Sequence, residues 1–279
     1  MKIQDLYKTV TDNIVAELEK GAIPWFKEWK GESLIPHNAI TLRPYSGINI
    51  PILWYGMQRH GYEHHKWCTY QQACAAHAQV RGGEKGTQVV FAKSYTKHGG
   101  ESEDAEQRRV LKTFTVFNIS QLDGYYLPSV EPIPPEKRHA AADRIITSTG
   151  AVIHFGGNRA NYSRETDIVR IPHPKDFVST ESYYSTLFHE LGHWTAKRVD
   201  RELGGRFGSE SYAAEELVAE LTSAFLCAHL GIQGELRHGG YISSWIQLLK
   251  NDERALFSAA SQASKAADYI YGVSQSPSQ

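Results

Sequence analysis

Three features of the sequence predict an α+β fold in two domains. The first half sets a β-rich pair of segments among helices, a proline-rich stretch follows near residue 130, and the second half places short strand-like segments before long helical ones. The order begins with Leu6, Val10, Ile14 and Leu18, which recur every four residues and mark one face of an opening helix. Gly21 ends that helix and Pro24 stops it. IPWFKEWKG, dense in aromatics, leads into a turn-rich stretch through Pro36, Pro44 and Gly47. INIPILWYGM begins a second helix, and WCTYQQACAAHAQV predicts a third, ended by Gly82 and Gly83. TQVVFAKSY and VLKTFTVFNI are rich in β-branched and aromatic residues, so they predict a long hairpin around the polar loop HGGESEDAEQRR.

SVEPIPPEKR, with Pro132, Pro134 and Pro135, is the best linker in the chain. It divides the expected domains into 1–127 and 138–279, joined by 128–137. HAAADRIITSTG then predicts a helix ended by Gly150, and AVIHF, GGNRANY and DIVRIP predict short strands. STESYYSTLFHELGHWTAKRV and YAAEELVAELTSAFLCAHLGI are long helices, and the remainder is helical up to a frayed SQSPSQ.

With 279 residues, 41% hydrophobic and 22% charged, the composition is that of a soluble globular protein. No apolar run approaches the ~18 residues of a membrane span, and the amphipathic start lacks a signal core. A cytoplasmic location with no membrane partner is therefore expected. Cys68, Cys74 and Cys227 fit no pairing motif and are expected to be reduced core thiols. The net charge of −1 excludes a strong global field for polyanions. Locally, residues 1–125 hold 15 Lys and Arg against 13 Asp and Glu, and four of those acids sit in the run from Glu101 to Glu106. Apart from that loop, the first half is basic.

The sharpest chemical signal is His189-Glu190-Leu191-Gly192-His193. Two histidines four residues apart face the same way on a helix of ~3.6 residues per turn. Two neutral imidazoles suit Zn2+ and leave positions for a third ligand and a water, whose pKa the metal lowers to about 7. Glu190 is then placed as general base toward that water rather than as a ligand. The unremarkable alternative is an exposed helix with two histidines. Leu187, Phe188, Leu191 and Trp194 argue against it, because they make the helix apolar around the pair. No cysteine lies nearby, so a closed structural zinc site is not indicated.

A third ligand is expected from EELVAEL downstream, which offers Glu215, Glu216 and Glu220. Glu216 and Glu220 share a helix face. That resembles the gluzincin arrangement, in which one glutamate binds metal and an acid one turn later orients a ligand histidine. The resemblance assigns Glu216 as third ligand and Glu220 as the orienting acid. Glu215 points about 100° away and is the less favoured ligand. One divalent ion is expected, Zn2+ in the first instance, with Mn2+ also compatible with a His₂Glu set. The strand Asp167–Pro172 could serve as an edge for an extended peptide.

In the first half, Trp25, Trp29, Trp54 and Trp67 interleave with Lys27, Lys30, Arg43, Arg59 and Lys66. Aromatic rings can stack bases and basic side chains can follow phosphates, although clustered tryptophans also build cores. VRGGEKGT could hold phosphates through its backbone N–H groups. Taken in order, VTDNIVAELEKGAIPWFKEW, RPYSGINIPILW, KWCTYQQA, VRGGEKGTQVVFAK, FTVFNISQLDG, TGAVIHFGGNRANYSRETDIVRIP, YYSTLFHELGHWT and YAAEELVAELTSAFL resemble the ArdC-type antirestriction proteins of conjugative plasmids. The resemblance covers nearly the whole chain.

It implies an N-terminal domain that binds single-stranded DNA and a C-terminal zincin-like metallopeptidase domain. Together these would protect incoming plasmid DNA from host restriction during conjugation, with a host protein as a candidate substrate. It further implies a DNA surface of Trp25, Trp29, Arg43, Tyr45, Asn49, Trp67, Arg81 and Lys85. Related N-terminal regions occur in some plasmid primases, but this sequence shows no acidic primase motif. Two other readings stay open: a single-strand-binding protein whose metal site is structural or vestigial, and a cytosolic metallopeptidase with no DNA role.

Overall fold

Residues 3–25, 34–97, 106–126, 133–202, 208–233 and 239–275 are described by a computed structural model of the chain. They are two-domain and α+β. One unit takes Met1–Val10 and Pro36–Leu127, the other Thr11–Ile35 and Pro128–Gln279. The segment Thr11–Ile35 therefore groups with the second unit, although it precedes the first unit's strands. Among the described residues, no helix is long and apolar enough to cross a membrane.

Helix α1 (Ile3–Glu19) buries Leu6, Val10, Ile14 and Leu18, the face that their spacing marks. It ends at Gly21, whose φ of +76° places it in the left-handed region that glycine enters without a Cβ clash.

In the first unit, strand β1 (His37–Asn38) precedes α2 (Asn49–His60), β2 (Lys66–Cys68), α3 (Tyr70–Ala75) and β3 (Gln79–Val80). The hairpin β4 (Thr87–Lys97) and β5 (Glu106–Asn118) follows, then β6 (Leu122–Asp123). The sheet order is β1-β2-β5-β4, and β3 pairs with β6 separately. The expected third helix is shorter than its sequence suggests. Trp67 and Cys68 pair with Asn118 and Phe117 as strand, and helix begins only after Thr69, whose side chain forms a capping box with Gln72. His77, with φ +57°, turns the chain away before Gly82 is reached. Cys68 and Cys227 are buried, as expected, but Cys74 is exposed.

The second unit adds α4 (Pro135–Ser148), β7 (Val152–Phe155), β8 (Asn161–Ser163), β9 (Ile168–Ile171), α5 (Thr180–Trp194), α6 (Glu210–Leu230), α7 (Ile242–Asn251) and α8 (Ala255–Gln275). Helix α4 starts inside the expected linker, because Pro135 sits at its first turn, where a missing N–H costs nothing. Residues 128–132 of the linker, 98–105 of the hairpin loop and the end 276–279 lie outside the described residues. The small sheet runs β7-β9-β8. Strand β9 is thus central, parallel to β7 and antiparallel to β8, so it offers no free edge to a peptide. That corrects the expectation for Asp167–Pro172: its Val169 and Ile171 are fully buried, as suits a middle strand.

Ser179 caps α5 and Ser209 caps α6, each accepting from a backbone N–H three residues on. The two helices then pack closely at Gly192. A Cβ there would lie 3.1 Å from Ala219 Cα and 3.3 Å from the Thr222 Cβ. Gly192→Ala should therefore lower stability by about 1–3 kcal/mol, because backbone cannot give way as a flexible side chain can. Urea denaturation of the two proteins measures it.

Two buried histidines add an acid sensitivity. Burial lowers the His229 pKa from 6.5 to about 4. Burial, with His37 and His64 nearby, takes His65 to about 3. Below pH 6.5 the unfolded chain binds protons that the folded one refuses, so stability falls with pH down to those values. Each histidine contributes a slope of up to about 1.4 kcal/mol per pH unit. Melting temperatures measured between pH 7 and pH 5 should decline, and His229→Phe should flatten the decline.

Candidate metal centre

Helix α5 carries His189, Glu190 and His193, and α6 carries Glu215, Glu216 and Glu220. All four carboxylates are 7% exposed or less. The imidazole Nε2 atoms of His189 and His193 lie 3.2 Å apart. Glu216 reaches both, with carboxylate oxygens 3.4 Å from His189 Nε2 and 3.6 Å from His193 Nε2. One donor atom from each of these three residues falls within 4.8 Å of the others. The structure thus brings together His189, His193 and Glu216.

The outward faces of the rings are held as well. His189 Nδ1 lies 3.2 Å from Glu220, and His193 Nδ1 lies 2.9 Å from Glu215. Each imidazole is therefore oriented by one carboxylate while its Nε2 faces the shared space. Arg201 fixes Glu215 in turn, with Nε and Nη2 donating to its two oxygens at 3.0 and 2.9 Å. The same Nη2 donates to the Gly192 carbonyl at 2.8 Å. Glu190, one residue after His189, is buried beside this cluster and lies outside the three-donor group. The Tyr212 hydroxyl hydrogen-bonds Glu216 and sits 3.1 Å from the Tyr241 hydroxyl.

Burial alone would depress the His189 pKa, but Glu216 and Glu220 outweigh it and hold the group at about 10. Burial likewise opposes ionisation of Glu216, yet His189 and His193 keep its pKa down at about 2. Arg201 pairs with Glu215, while Glu216 and Glu220 lie against the imidazoles. A buried donor set of two imidazoles and a carboxylate suits a divalent cation.

Arg201 is a residue that sequence reasoning missed, and Glu215 one that it weighed only as the less favoured ligand. On helical geometry Glu215 points away from Glu216, and that divergence is what carries it to the far side of His193. Arg201 lies beyond the end of α5 with no fixed spacing to reveal it. Glu215→Ala or Arg201→Ala should weaken metal binding by roughly 10–100-fold, as loss of an orienting partner does. Competition with a chromogenic chelator would measure it.

Of the residues expected to face DNA, several are buried and three are exposed. Trp25 and Trp67 are buried; Trp25 packs against Trp245 at a centroid distance of 6.2 Å, and Tyr62 abuts Trp67 at 5.9 Å. Neither offers a free ring face. Asn49 is buried too, closing a two-bond pair with Val90 at 2.7 Å in each direction. Tyr45 is buried beside Phe91. Arg43, Arg81 and Lys85 are exposed. Arg81 is partly engaged, donating to Glu84 at 2.9 Å and to the Ser120 carbonyl at 2.6 Å. Trp29 lies outside the described residues.

Comparison with known proteins gives two family matches. Residues 4–117 match the N-terminal domain of anti-restriction factor ArdC, and residues 140–262 match a zincin-like metallopeptidase domain. Protein y4eC of Sinorhizobium fredii (strain NBRC 101917 / NGR234) is 40% identical, across 96% of this chain and 92% of that protein. The DNA primase TraC of Escherichia coli is 37% identical across 96% of this chain, which spans only 20% of that longer protein. Among solved structures, the metal-free antirestriction ArdC protein from plasmid R388 superposes with a TM-score of 0.81 at 36% identity. That alignment covers 97% of this chain and 98% of the other. The Mn(II)-bound structure of that protein aligns with a TM-score of 0.79, also at 36% identity, covering 98% and 99%.

Proposed function

This chain belongs to the ArdC antirestriction family, and on that premise we propose that it binds single-stranded DNA and carries a gluzincin-like peptidase centre. It would act in the cytoplasm, protecting incoming plasmid DNA from host restriction during conjugation. The observation that carries the catalytic half is the convergence of His189, His193 and Glu216 beside the buried Glu190. Those three residues would hold one divalent ion, Zn2+ or the Mn2+ seen in the R388 relative. When bound, such an ion polarises a peptide carbonyl and lowers the pKa of a coordinated water to about 7.

The protein's own groups do the rest. Glu190 takes the proton from the attacking water and passes it to the leaving amine nitrogen. Glu220 and Glu215 accept from the Nδ1–H groups, which fixes the tautomers and aims both Nε2 lone pairs inward. Arg201 pairs with Glu215 and holds it in place. The substrate class proposed is a host protein.

The DNA half is supported by the family and by exposed basic residues such as Arg43 and Lys85. Titration of labelled single-stranded and duplex DNA at two salt concentrations tests it. Preferential, salt-sensitive binding to the single strand is expected, with a logarithmic slope near −0.7 per phosphate contacted. Equal binding to both would leave a DNA binder without strand preference, and binding to neither would leave a peptidase with no DNA role.

A further inference from the structure

The hairpin of the first unit carries two phenylalanines that a core would normally claim. Cross-strand register pairs Val89 with Phe114, Phe91 with Lys112 and Thr87 with Val116, so these six share one face of the ribbon. Val89 and Val116 are buried on that face, yet Phe91 and Phe114 are each 45% exposed. Their rings meet edge to face at 5.4 Å and 80°, and Tyr45 lies 6.3 Å from Phe91. Beside them opens a cavity of about 400 Å³, lined also by Asn38, Gln72 and Lys112. That volume falls in the ~300–1,000 Å³ range of small-ligand sites.

The polar wall is fixed rather than fluid. Asn38 Nδ2 donates to Gln72 Oε1 at 3.0 Å, while Asn38 Oδ1 accepts the backbone N–H groups of Ile40 and Thr41 at 3.0 and 2.9 Å. Asn38 is hydrogen-bonded to Tyr45 as well. The cavity therefore combines aromatic surface, a preorganised amide and hydroxyl edge, and a cation. A cation beside an aromatic pocket matches a polyanionic strand better than an apolar peptide.

We propose that this cavity is a nucleobase pocket, in which an unstacked base lies against Phe91 and Phe114 with its polar edge toward Asn38, Gln72 and Tyr45. Lys112 then meets the adjoining phosphate. Stacking on a phenyl face suits any base, so the pocket gives affinity for single strands without strong sequence preference. Duplex bases, already stacked and paired, cannot enter. The proposal rests on the single-strand reading above and deepens it by naming where a base goes.

Fluorescence anisotropy of the full chain with an oligothymidylate and an abasic strand of equal length and charge tests it. The wild type should bind the thymidylate roughly tenfold more tightly than the abasic strand. Phe91→Leu and Phe114→Leu should erase that preference while leaving abasic affinity unchanged, and Phe114→Trp should keep it. A packing role alone would rank the variants the other way, with leucine tolerated and tryptophan harmful. If the wild type prefers thymidylate and the leucine variants keep that preference, the pocket is wrong and the single-strand reading stands. A change in oligomeric state in those variants, with DNA affinity unaltered, would likewise overturn the pocket in favour of a self-contact. If the wild type binds neither strand, the single-strand reading fails and takes the pocket with it.

Discussion

Glu190→Gln is expected to lower metal-dependent peptide hydrolysis by about 10²–10⁴-fold while leaving one metal bound per chain. The glutamine keeps the shape of the buried side chain but cannot take a proton from water. Because Glu190 stands outside the three-donor group, metal affinity should hardly change. Hydrolysis of a quenched-fluorescent peptide mixture, with metal content measured in parallel, separates the two quantities. The same variant sorts the cellular function. If protection of unmodified plasmid DNA vanishes while DNA binding persists, proteolysis is part of antirestriction. If protection survives in full, the centre serves another purpose.

Glu216→Ala should have the second large effect, on the metal itself. A site worth about 10–16 kcal/mol, spread over three or four ligands, loses a few kcal/mol with one of them, or at least roughly 10²–10³ in affinity. At a metal concentration near 100 times its dissociation constant, the wild type should gain about 2.7 kcal/mol and melt roughly 5–10 °C higher than with chelator. Glu216→Ala should show almost none of that rise. Glu215→Ala should retain part of it, because Glu215 touches His193 at Nδ1 and not at the shared face. The reverse ranking would make Glu215 the ligand and Glu216 the support.

Much of this was legible before any coordinates. A face such as Leu6, Val10, Ile14 and Leu18 declares its helix, because burial of one side demands that period. Short elements were not legible. Trp67 and Cys68 form strand through pairing with β5 and β1, contacts that local propensity does not contain. The sheet order that places β9 in the middle is likewise non-local.

At the metal centre, helical spacing paired the two histidines and put Glu216 and Glu220 on one face, and the gluzincin resemblance joined the two sets. Spacing undervalued Glu215, because angular position on one helix says little when two partners approach from different sides. Trp25 and Trp67 had looked like base platforms, but large rings are as useful inside, and the fold spends them there. Phe91 and Phe114 looked like ordinary strand residues. Only the fold leaves their rings exposed beside the cavity.

The account stands on one metal held by His189, His193 and Glu216, with Glu190 beside it. Anomalous diffraction at the metal edge, from crystals of the metal-loaded protein, tests that most directly. A single peak within about 2.0–2.3 Å of His189 Nε2, His193 Nε2 and a Glu216 oxygen is predicted, with Glu190 out of coordination. A peak coordinated by Glu215 or Glu190 in place of Glu216, or no peak between the two histidines, would contradict it.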